Sequence, residues 1–170
     1  MTNLTEFRQQ KDDFFKHDWQ SPLTPDQQKG FDGLNYFPEN PVLRLWITVQ
    51  ENDPKPVVTM MTSTGSAREY LKYGQFTFDM NGEAATLHIY QDADDGYFFL
   101  PFVDATAPEE TYGAGRYLDV EPVAGGQFLI DFNYAYNPYC AYSDRWSCPI
   151  PPKENRLKVR IEAGEKNFKE

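Results

Sequence analysis

The sequence predicts a mainly β fold, an antiparallel barrel or roll of about eight strands with one or two N-terminal helices. Three observations carry that expectation. From Leu43 onward, apolar and polar side chains alternate instead of recurring at helical spacing. Turn dipeptides, Asn81-Gly82 above all, cut the chain into strand-sized pieces. No βαβ rhythm, internal repeat or low-complexity tract is present, which argues against a doubly wound sheet.

The helices come first. Leu4, Phe7, Lys11, Phe14 and Phe15 lie at mostly helical spacing, with Thr2 and Asn3 available as caps. Thr24 before Pro25 reads as an N-cap with proline at the first helical position, opening a short helix that ends near Gly30. After a loop over 33–41, Leu43, Leu45, Ile47 and Val49 mark one strand face. Asn52-Asp53-Pro54 then turns the chain into a strand around Val57 to Thr62. Arg68 to Asp79 and Glu83 to Tyr90 flank Asn81-Gly82, which readily supplies the positive φ angles of a two-residue hairpin. Further strands are expected over Tyr97 to Val103, Arg116 to Val120, Gln127 to Phe132 after the Gly125-Gly126 turn, and Arg156 to Ile161. The chain reads as a single domain over 1–170, a helical segment 1–30 packed on a β-rich body 42–163.

Sixteen Lys+Arg against 26 Asp+Glu in 170 residues give a formal net charge of −10. That balance offers no electrostatic basis for binding nucleic acid or an anionic membrane. No apolar stretch approaches the ~20 residues of a spanning helix. The first residues mix both charge signs without the apolar run of a secretory signal, so the cytoplasm is the expected location. In that compartment Cys140 and Cys148 are expected as reduced, packed thiols, with a reversible bond between them as the alternative. The two cysteines and the distant His17 and His88 lack metal-ligand spacing, and no cofactor is expected. A homodimer is one way for a small β-domain to hide its edge strands.

Two segments hold more special residues than turns need. In the first, Gly113 and Gly115 permit tight curvature beside Arg116, whose rigid guanidinium fork suits a carboxylate or phosphate. Gly113 to Arg116 lacks the third glycine of a dinucleotide loop, and a structural pairing of Arg116 with Glu109, Glu110 or Asp131 competes with the ligand reading. In the second, Asp131 and Asn133 are expected on one strand face, with Tyr136, Asn137 and Cys140 just beyond. The irregular aromatic loop that follows is read as a self-packed cover ahead of a pocket wall.

These segments resemble a known family. Phe102 to Asp104, Glu110 through Leu118, Asp131-Phe132-Asn133, Ala135-Tyr136-Asn137-Pro138 and Cys148-Pro149 through Leu157 are similar to the family catalogued as domain of unknown function 1684. Lys11-Asp12, Ser21-Pro22-Leu23, Leu34 to Pro38 and the closing Ala163-Gly164-Glu165-Lys166 also fit it. Ala107-Pro108 stands where that family often shows a Ser-Gly-like turn. The resemblance implies a single domain used by microbial proteins and brings no established activity, cofactor or substrate. It directs interest to Glu110, Tyr112, Arg116, Asn133, Tyr136, Asn137 and Cys140 as a common site.

Three functional readings result. The first is a small-molecule binding domain in which Arg116 receives an anionic group while Tyr112, Asn133, Tyr136 and Asn137 supply hydrogen bonds or stacking. The second is a cofactor-independent hydrolase or isomerase using Glu110 or Asp131 as general base, with Cys140 as the less favoured nucleophile. The third is a structural or interaction protein whose polar cluster stabilises the fold.

Overall fold

The computed structural model describes residues 3–168. Helix α1 (Leu4–His17) begins at Asn3, whose side chain accepts a hydrogen bond from the Glu6 N–H at 2.8 Å. Thr2, the other candidate cap, lies outside the described residues. Helix α2 (Pro25–Gly30) opens with a reciprocal capping box. Thr24 Oγ1 accepts from the Gln27 N–H, and the Thr24 N–H donates to Gln27 Oε1.

Nine strands follow among the described residues: β1 (Arg44–Thr48), β2 (Gln50–Glu51), β3 (Val57–Met61), β4 (Ala67–Met80), β5 (Glu83–Asp92), β6 (Phe98–Phe102), β7 (Arg116–Asp119), β8 (Glu121–Pro122) and β9 (Gln127–Asp131). Their ladders are antiparallel and form two sheets. One runs β1-β9-β8; the other runs β2-β4-β5-β6-β7, with β3 also paired to β4. Neither ladder closes on itself, so the β-structure is open where the sequence suggested a barrel or roll. Phe76 and Phe78 of β4, Leu87 and Ile89 of β5, and Phe128 and Ile130 of β9 join one buried apolar cluster, which unites both sheets.

Two local devices shape the larger sheet. The β4–β5 hairpin turns on Asn81 and Gly82, with φ of 52° and 89°, as the primed turn requires. Farther along, β4 has to accept both β2 and β3 on one edge, and its register with β5 shifts between Lys72 and Gly74. A Cβ at Gly74 would stand 2.6 Å from the Gln50 carbonyl, so glycine is what lets β2 approach there.

Two expected features differ. Asn133 does not share a strand face with Asp131. Asp131 Oδ1 accepts from the Asn133 N–H at 3.1 Å and from its side-chain amide at 2.9 Å, drawing Phe132–Tyr134 into one 3₁₀ turn. Arg156 to Ile161 forms no strand. Its start lies beside the end of β6, with the Leu157 N–H donating to the Val103 carbonyl at 2.7 Å and the Ala105 N–H to the Val159 carbonyl at 2.9 Å. Beyond that, the Ile161 peptide groups bond side chains of Asp104 and Arg116 instead of a neighbouring strand.

The β5–β6 ladder is only two residue pairs long, Tyr90 with Phe99 and Gln91 with Phe98. Past those pairs the fully buried Asn155 bridges the strands. Its Oδ1 accepts from the His88 N–H at 2.8 Å, and its Nδ2 donates to the carbonyls of His88 at 2.9 Å and Pro101 at 2.7 Å. Replacing Asn155 with alanine removes the partner of three backbone groups, two on the part-buried His88 and one on the buried Pro101. Thermal denaturation of Asn155→Ala should show a loss of roughly 2–4 kcal/mol. A change under about 0.5 kcal/mol would mean that the bridge contributes nothing.

Candidate functional site

Arg116 begins β7 directly after Gly115. That glycine has a φ of 105°, and a Cβ on it would lie 2.6 Å from the Phe102 carbonyl, so the close approach of β7 to β6 depends on its missing side chain. The arginine is 1% exposed. One guanidinium nitrogen donates to the carbonyls of Ala163 at 2.5 Å and Glu165 at 3.1 Å. The other donates to the Ile161 carbonyl at 3.0 Å and to Asp104 Oδ1 at 3.3 Å. Burial pulls the guanidinium below its ordinary value, while Asp104 and Glu165 push it back toward the charged form. Asp104 is buried too, and accepts from the Thr106 hydroxyl and, at 2.6 Å, from the Ile161 N–H.

The segment held by Arg116 is itself anchored. Glu165, 1% exposed, pairs with Lys11 of α1 through Oε1. Its Oε2 accepts from the Tyr142 hydroxyl at 2.5 Å and from the Asn137 N–H at 3.3 Å. Gly164 packs where a Cβ would fall 2.8 Å from the Ala135 carbonyl, and its own carbonyl receives the Phe37 N–H at 2.9 Å. Lys11, Ala135 to Asn137 and Ala163 to Lys166, all among the residues that carry the family resemblance, therefore converge on one strap.

An open cleft of about 330 Å³ lies beyond this network, lined by Tyr117, Tyr136, Tyr139, Trp146 and Cys148 with Pro138 and Pro149. The Tyr136 hydroxyl donates to Asp119 at 2.6 Å, the Tyr117 hydroxyl to the Pro149 carbonyl, and the Trp146 indole N–H to the Pro22 carbonyl at 3.3 Å. Burial drives the Tyr136 and Tyr117 hydroxyls far above the ordinary phenol range, with Asp119 adding to the effect on Tyr136.

The residues singled out in the sequence do not form one site. Arg116 and Asn137 belong to the strap network, and Tyr136 and Cys140 lie on the cleft side of it, packed with Tyr117 and Cys148. Asn133 instead braces the loop before β1, its Oδ1 accepting from the Asn40 N–H and its Nδ2 donating to the Asn40 carbonyl. Tyr112 is half-buried, and burial raises its hydroxyl, with Cys140 and Cys148 adding to the shift. Glu109, Glu110 and Asp131 are not the partners of Arg116. Glu110 pairs with Arg160 at 2.6 Å and Asp131 faces Arg44 at 3.9 Å, so the two acid–base candidates stand in separate ion pairs. Sequence reasoning passed over Asp104, Glu165 and Asp119 as site residues, although the first two fall in runs that carry the resemblance. Ala107-Pro108 adopts a cis peptide bond. Among the described residues, no cluster of three or more His, Cys, Asp or Glu could hold a metal ion, and no helix is long and apolar enough to cross a membrane.

Arg116→Lys separates charge from geometry. A single ammonium cannot reach three carbonyls and a carboxylate from this position, so the variant should lose roughly 3–5 kcal/mol in urea denaturation although its charge is kept. Wild-type stability in this variant would show that only the charge matters.

The chain is 40% identical to an uncharacterized protein of Haloarcula marismortui whose structure was determined by solution NMR. The match covers 96% of this chain and 91% of that one, with a TM-score of 0.73. No curated protein matches. The model of a family described as protein of unknown function, DUF1684, matches residues 29–166, and the chain belongs to that family.

Proposed function

We propose that this chain is a non-catalytic binding domain, with the network of Arg116, Asp104 and Glu165 as its scaffold and the aromatic cleft as its working surface. The reading moves the ligand away from Arg116. The terminal N–H groups of the guanidinium already serve three carbonyls and a carboxylate, and its one unpaired donor, Nε, is buried with the rest of a side chain that is 1% exposed, so an incoming anion has no access to it.

The cleft's chemistry carries the choice of ligand. The Tyr117, Tyr136 and Trp146 donors all point to internal acceptors, so these residues offer ring surface instead of hydrogen bonds. Lys11 stands over the Tyr136 ring at 5.1 Å and Arg145 over Trp146 at 4.8 Å, so both rings already carry a cation. Asp119 beside Tyr136, together with the net charge of −10, disfavours an anion. The complement is a small, flat, uncharged aromatic compound, held by stacking and edge contacts.

Ligand-observed NMR with indole, tryptamine and indole-3-acetate tests this, because the three share one ring and differ in charge. Indole should bind best and indole-3-acetate worst, and Trp146→Ala should weaken indole binding about tenfold, the loss of one aromatic contact. No binding by any of the three, or strongest binding by the carboxylate, would overturn the reading.

A further inference from the structure

Cys140 and Cys148 are both free thiols, pack in one cluster and share Ser63 as a neighbour. They differ in setting. Cys140 is partly exposed, whereas Cys148 is 9% exposed and packs among Met60, Tyr70 and Phe99.

Ser63 holds the pair in register. Its N–H donates to the Cys148 carbonyl at 2.9 Å, and its hydroxyl oxygen accepts from the Cys148 N–H at 3.1 Å. The hydroxyl hydrogen then has two acceptors in reach, the Cys140 sulfur at 3.2 Å and the Trp146 carbonyl at 3.4 Å. The Cys140 sulfur also lies 3.1 Å from the Trp146 carbonyl. One sulfur is therefore reachable from solvent and has a hydroxyl donor beside it, and a second sulfur waits behind it.

We propose that Cys140 and Cys148 are a peroxide-reactive dithiol, in which Cys140 attacks a hydroperoxide and Cys148 closes the disulfide. The assignment of roles follows from access, and burial together with the Cys140 contact pushes the Cys148 thiol up to about 11, which keeps it protonated at neutral pH. The Cys140 thiolate attacks the terminal oxygen of the hydroperoxide and breaks the O–O bond. The departing alkoxide takes a proton and leaves as the alcohol, and Cys140 becomes a sulfenic acid. The Cys148 sulfur then attacks the Cys140 sulfur. The S–S bond forms, and the sulfenic hydroxyl leaves as water with the Cys148 proton. Two thiols have lost two electrons, and the hydroperoxide has become an alcohol and water. A small-molecule dithiol returns the pair to the reduced state by exchange.

The disulfide would close a short ring that carries Tyr142 and Trp146, so oxidation stiffens one wall of the aromatic cleft. Restricting the unfolded chain over a loop of this length should raise Tm by roughly 5–10 °C.

The test treats the reduced full chain with near-stoichiometric hydrogen peroxide and follows free thiols, intact mass and Tm. Wild type should lose both thiols together and two hydrogens in mass, remain one chain per molecule on a non-reducing gel, and melt higher. Cys148→Ser should give a dimedone adduct at Cys140, and Cys140→Ser should give none. Retention of both thiols under conditions that oxidise free glutathione would overturn the proposal. So would oxidation to sulfinic acid without a disulfide, or a dimedone adduct on Cys148. The wild-type readout stands even if a variant folds poorly, and it is independent of whether the cleft binds indole.

Discussion

A guanidinium taken out of water has to replace its hydration with fixed acceptors, and Arg116 finds nearly all of them in the backbone of residues 161–165. That requirement ties three distant parts of the chain together. Asp104 follows β6, Arg116 begins β7, and the carbonyls belong to the C-terminal strap, so the charge pair is satisfied only when all three are in place. Asp104 closes the arrangement by accepting the Ile161 N–H, so carboxylate and guanidinium hold the two peptide groups that flank one residue. The strap accordingly lies against the sheets without being a strand of either one.

The same strap carries the constraint outward. Glu165 bonds Lys11 on α1 and Tyr142 and Asn137 in the long loop, so the N-terminal helix and the loop are positioned by one buried carboxylate. Phe15 of α1 completes that junction by packing edge-on against the Tyr142 ring at 5.0 Å. Cys140 and Trp146 flank Tyr142 in sequence, so the shape of the cleft and the meeting of the two thiols both follow from where Glu165 holds the loop. The scaffold and the surface chemistry are linked through a hydrogen bond and not through a shared pocket.

How much of this was legible in the sequence depends on how local the cause is. The caps at Asn3 and Thr24 and the Asn81-Gly82 hairpin are set by neighbours within a few residues, and each could be read directly. Asp131 also acts locally, but a two-residue periodicity does not distinguish a strand continuing to Asn133 from a side chain that curls the backbone into a turn. The Arg156 to Ile161 segment has the alternation of a strand, yet its polar groups are claimed by side chains brought in from 104 and 116, which no local pattern encodes. Arg116 stands out in the sequence as a cation set among acidic and amide residues. Its partners are out of reach of local patterns because the two elements that satisfy it, Asp104 and the C-terminal strap, come beside it only in the folded chain.

An ion pair buried this deeply is a poor source of net stability compared with apolar residues of similar volume. Its effect is better understood as selection among arrangements. Apolar residues on β6 and β7 would accept the C-terminal segment in several registers, because dispersion contacts are not directional. Three carbonyls and one N–H placed around one arginine and one aspartate admit a single register, and a slip of one residue would leave a buried charge unpaired. The requirement for that register reaches the loop, since Glu165 meets Lys11, Tyr142 and Asn137 only when Ala163 and Ile161 are already on Arg116. The directional bonds thus decide where the strap sits, and the position of the strap decides which face of the aromatic loop is left open.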